Sequence, residues 1–115
     1  MNNKQRQYAF LALALIGLCA TWLFNLQFIR EHQGFSAELF VAMAYANNAS
    51  ASISNDVVVA AISFLLWSWF ESRRLAMRYW LLWPALTFGV ALAFAFPLFL
   101  ALRERKLAAL SDSAP

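Results

Sequence analysis

Residues 47–56 read Asn-Asn-Ala-Ser-Ala-Ser-Ile-Ser-Asn-Asp and lead straight into the apolar run Val57–Phe70. How this join is read decides the fold. Asp56 stands at the mouth of a segment that otherwise looks membrane-spanning, with Ser52 one turn before it and Ser63 two turns after. An acid in such a place has to be solvated, paired or neutral. Two placements meet that constraint. At headgroup depth Asp56 caps the helix and complements its N-terminal dipole. Facing a bundle interior, it is a proton or ligand site on a polar stripe with Ser52, Ser63 and Trp67.

The composition says what surrounds the join. Hydrophobic residues make up 63% of the 115 and charged residues only 13%, with a mean hydropathy of +0.58. A water-facing domain is usually about a quarter charged, so the apolar excess has to face lipid. The single cysteine, Cys19, excludes an internal disulfide and a cysteine-based metal site, and it lies in an apolar run as a small hydrophobe. The net charge of +3 comes from Lys and Arg just outside the apolar runs. That is how membrane flanks look, and no interleaved basic and aromatic surface suggests nucleic acid.

Tyr8–Ile29 carries no formal charge and, at about 1.5 Å per residue, is long enough to cross a hydrocarbon core of about 30 Å. It is longer than a signal-peptide core and lacks a small-x-small cleavage site, so it reads as a retained helix. Thr21 and Asn25 share one of its faces, Gln27 lies near its end, and Arg30-Glu31-His32-Gln33 followed by Gly34 closes it. Residues 35–46 are too few to span; capped by Ser36, they form a short interfacial or re-entrant helix. A second span covers about 53–71, with 47–55 as a polar exit and N-cap region before it. A third covers about 79–102, with a kink at Pro97, and a tail runs over 103–115, in which Arg103-Glu104-Arg105-Lys106 ends the span and 107–115 is frayed. The expectation is one all-α integral membrane domain of three spans.

Three spans put Lys4, Arg6, Arg73, Arg74 and Arg78 on one side, against Arg30, Arg103, Arg105 and Lys106 on the other. That near balance barely orients the chain. The basic residues ahead of the first span favour a cytoplasmic N-terminus.

The order Thr21-Trp22, Asn25, Phe28 and Glu31, then an Asn-Ala-Ser stretch with Asp56, then Glu71 with Arg74, then Phe96-Pro97-Leu98-Phe99-Leu100 with Arg103-Glu104 resembles a family of small bacterial membrane proteins, domain of unknown function 2834. The resemblance covers about 8–105. It implies a bacterial three-helix membrane protein and supplies no activity, cofactor or catalytic residue; the localisation expected is the bacterial inner membrane.

Asn25, Gln27, Glu31, Asn47, Asn48, Asp56 and Ser63 form the candidate polar cluster, most of it toward one membrane face, with an aromatic and basic belt toward the other. The bland roles are interhelical hydrogen bonds for Asn25, an interface position for Glu31, and a surface ion pair for Glu71 with Arg74. Neither a catalytic constellation nor a metal or cofactor is expected. The leading reading is a non-enzymatic binding or accessory module in the lipid bilayer, associated with a second copy or a membrane partner. Proton-coupled transport of a small solute by an oligomer through Asp56 is the alternative. An enzyme using Asp56 and Glu31 on a lipid-soluble substrate comes third. At Pro97 the carbonyl of Ala93 loses its donor, and an amide of Asn25 or Gln27 is expected to approach it.

Overall fold

The computed structural model describes residues 2–113. The chain is all-α, in the order α1 (Asn3–Glu31), α2 (Ala37–Ala44), α3 (Asn48–Arg74), α4 (Leu82–Gly89) and α5 (Leu92–Ser113). Among the described residues, α1 and α3 are the two helices long and apolar enough to cross a membrane.

Each of the first three helices starts on a side-chain cap. Asn2 accepts from Gln5 N–H at 2.8 Å, and Gln5 returns a bond to the Asn2 N–H, a capping box. Ser36 caps α2, as expected. Asn47 caps α3 and forms a capping box with Ser50. This moves the start of α3 back from the expected Ile53 to Asn48. The polar run 48–55 is therefore the first two turns of a helix. Asp56 sits in the third turn, too far along to serve as its cap.

Two helix ends close in the same way. After α1, Gln33 takes the left-handed region (φ 53) and Gly34 N–H reaches back to Ile29 O at 2.9 Å. After α3, Ala76 does so (φ 55) and Met77 N–H bonds Ser72 O at 2.8 Å. Both are six-to-one closures that satisfy late carbonyls and turn the chain sharply.

The largest departure from the sequence reading is at 79–102. A continuous third span does not form; the segment breaks at Val90–Ala91. The N–H groups of Val90 and Ala91 both bond Leu86 O at 2.9 Å, ending α4, and α5 starts afresh at Leu92. The break frees the Val90 carbonyl, which accepts the indole N–H of Trp22 at 3.0 Å. From there α5 runs antiparallel to α1. Trp22 meets Val90, Gly17 meets Ala93, and Arg6 meets Glu104. The same helix runs parallel to α3, with Phe64 stacked on Phe96 at 4.6 Å and Glu71 bonded to Arg103. Helices α4 and α5 thus form a hairpin. Its core is Phe64, Trp83, Ala95 and Phe99, where the Trp83 ring meets Phe99 edge-on at 5.1 Å.

In a molecule measuring 57 × 23 × 23 Å, the hairpin tip reaches along α1 as far as Trp22. Helix α1 packs on α5 and not on α3 among the described residues. At the other end α2 is tied to α3 by Tyr45 Oη to Asn55 Oδ1 (2.8 Å) and Ser54 Oγ to Ala44 O (3.0 Å). Phe28, Phe35 and Phe40 join α2 to the end of α1.

Candidate functional site

The charged residues converge where α1 begins and α3 ends. Glu71, on the last turn of α3, is buried against α5. Its Oε1 accepts from Arg74 Nε at 2.5 Å and its Oε2 from Arg103 Nε at 2.6 Å. Glu104, also buried, accepts from Arg6 Nε at 3.0 Å and lies 3.8 Å from Arg103. Arg6 also bonds Asn3. Two carboxylates and three guanidiniums so tie α1, α3 and α5 together. A buried carboxylate is tolerable only with this kind of partnering. Both Glu71 oxygens are engaged, so the network works as a clasp.

Beside the clasp lies an open cavity of about 320 Å³ between the α3–α4 connection and α5. Its lining combines apolar Met77, Trp83 and Leu102 with the cations Arg78, Arg105 and Lys106. The Ser72 and Thr87 hydroxyls are buried without a hydrogen-bond partner among the described residues.

The polar cluster read from the sequence lies elsewhere and is not drawn together within one chain. Asn25 is half-buried on α1, while Gln27 and Glu31 are exposed. Asn47 and Asn48 are exposed at the start of α3, with the Asn47 side chain spent on the cap. Asp56 is exposed on α3. Ser63 is exposed and its hydroxyl donates to Val59 O at 2.9 Å, the local bond that Ser often makes inside a helix. Thr21 does the same to Gly17 O at 2.8 Å.

The Pro97 expectation is corrected in its partner. Helix α1 does approach the Ala93 carbonyl, but through Gly17, whose missing side chain allows backbone contact. Asn25 and Gln27 lie about 12 and 15 Å further along α1 by helix rise.

The sequence reading missed Glu71 with Arg103 and Arg6 with Glu104 because a third span would have put the partners at opposite ends. Their signal was the poor charge separation itself, which a reversal within 79–102 removes.

Fold and site together define an all-α protein with two membrane-length helices, joined by an arginine–carboxylate clasp to a shorter helical hairpin. The chain belongs to the family described as protein of unknown function DUF2834, whose model matches residues 9–105. No curated protein and no solved structure matches it.

Proposed function

We propose that the protein is an integral protein of the bacterial inner membrane that crosses the bilayer twice, through α1 and α3. The α4–α5 hairpin enters and leaves from the cytoplasmic end. It acts as a non-enzymatic binding or accessory module in association with a second copy of itself.

The observation that carries this reading is the return of α5 to Arg6 and Glu71. With that return, every one of the nine Lys and Arg residues except Arg30 falls at one end of the molecule. The near balance expected for three spans becomes a strong asymmetry, and the basic end is the cytoplasmic one by the positive-inside rule. The outer surface agrees. Leu15, Ile16 and Phe24 on α1 are each at least 60% exposed, as are Ile53 and Val59 on α3. Apolar exposure along whole helices on this scale is what lipid contact accommodates.

Cysteine labelling tests the topology. In a Cys19→Ser background, Gln5→Cys and Ser111→Cys should react with a membrane-impermeant maleimide from the same side, and Asn48→Cys from the other. Ser111→Cys labelling together with Asn48→Cys would mean that α5 crosses, and the two-span reading would fail.

A further inference from the structure

We propose that the cavity between the α3–α4 connection and α5 binds the phosphate of an anionic phospholipid headgroup; this rests on the membrane reading above. Six of the eight basic residues at this end fall into two groups, while Lys4 lines a separate groove and Arg73 lies over the Trp69 ring. Arg6, Arg74 and Arg103 are bonded to the carboxylates of Glu71 and Glu104. Arg78, Arg105 and Lys106 have no carboxylate partner among the described residues, and all three line one cavity. The third carboxylate at this end, Asp112, lines a separate groove with Asn2 and Lys4.

Three like charges around one cavity repel each other unless an anion sits between them. A phosphate supplies both the charge and several acceptor oxygens for guanidinium and ammonium donors. The apolar part of the lining is Met77 and Leu102, both half-buried, with Trp83 almost fully buried beside them. A free phosphate gains nothing from apolar lining, whereas the glycerol and first methylenes of a lipid do. The cavity also lies at the end where the apolar segments stop, the depth at which headgroups lie.

The test uses the full chain in neutral maltoside micelles, followed by native mass spectrometry with phosphatidylglycerol, phosphatidylcholine or inorganic phosphate. Wild type should retain phosphatidylglycerol in preference to phosphatidylcholine. The double variant R105Q/K106Q should weaken that retention at least about tenfold, given the usual worth of a cation near an anionic lipid surface. Arg73→Gln should not, because Arg73 stacks over Trp69 away from the cavity. Ala109→Phe keeps all three cations but fills the cavity, and it should also release the lipid. Inorganic phosphate bound with the same variant sensitivity, and with no preference for lipid, would support the phosphate chemistry and overturn the lipid source. Equal retention by wild type, R105Q/K106Q and Ala109→Phe would overturn the site. Cysteine labelling reports on the membrane reading separately: correct labelling with no lipid retention sinks only the site.

Discussion

At the residue scale Gly17 carries the most information. A Cβ placed there would overlap the Ala93 carbonyl oxygen and stand 2.6 Å from its carbon, so α1 and α5 are in backbone contact at this point. The contact falls where Pro97 removes the usual donor to the Ala93 carbonyl, so the close approach and the missing hydrogen bond share one place. Cα–H···O contacts commonly form where helices approach this closely. Gly89 provides the comparison, since a Cβ there meets nothing within 4 Å. In a helix, Ala is intrinsically favoured over Gly by about 1 kcal/mol. Gly89→Ala should therefore be neutral or slightly stabilising. Gly17→Ala should lose about 1–3 kcal/mol through forced separation of the helices. Thermal melting in neutral detergent, followed by circular dichroism, reads both. A Gly17→Ala protein as stable as wild type would show that α1 and α5 are not held at this distance.

At the element scale the decisive feature is the turn from α4 to α5. Its backbone would be costly inside a bilayer unless its carbonyls found donors. Trp22 supplies one, and it ties the hairpin tip to α1. Trp22→Phe keeps the ring and removes the N–H. It should lower stability by about 1 kcal/mol, the upper part of the usual range for a hydrogen bond between membrane helices. An unchanged melting curve would mean that the indole contributes packing alone. This element also marks where sequence reading ran out. Helices α1 and α2 and the apolar body of α3 were legible from length, hydropathy and local signals such as Ser36 and the polar run after Ile29, whereas the first two turns of α3, capped by Asn47, read as a polar exit. The break at Val90–Ala91 is not local. Gly89-Val90-Ala91 is an unremarkable apolar tripeptide, and hydropathy is nearly the same for a straight span and for a hairpin packed between two others. What distinguishes them is tertiary: Gly17 against Ala93, Trp22 against Val90, and Arg6 and Glu71 against Glu104 and Arg103. The polar cluster failed to assemble within the chain for a related reason. It was placed by membrane depth alone, and among the described residues α1 packs on α5 and not on α3, so a shared depth does not bring the α1 and α3 residues together.

At the scale of the whole molecule, the end away from the clasp is incomplete. Asp56 lies fifteen residues before Glu71 on α3, about 22 Å along the helix. On the two-span placement proposed above, a core of about 30 Å leaves it several ångströms inside the apolar layer, near the level of the hairpin tip. It is exposed there and shares its side of α3 with Ser52, Ala60 and Ser63, while Ala61, Phe64 and Ser68 turn into the fold. An intramembrane acid normally faces protein or water, and small and polar residues are what membrane helices use to approach each other. A second copy presenting the same face across a two-fold axis would supply hydroxyl and carboxyl partners from Ser52, Ser63 and Asp56 and remove the acid from lipid. In a Cys19→Ser background, Ser63→Cys should therefore crosslink to a dimer in native membranes, and Ile16→Cys on α1 should not. Asp56→Asn retains hydrogen bonding and should keep the crosslink. Asp56→Leu should reduce association about tenfold, within the range measured for single polar contacts between membrane helices. A Ser63→Cys protein that stays monomeric would remove self-association through this face. A crosslink indifferent to Asp56→Leu would instead leave the dimer in place without the acid as its cause.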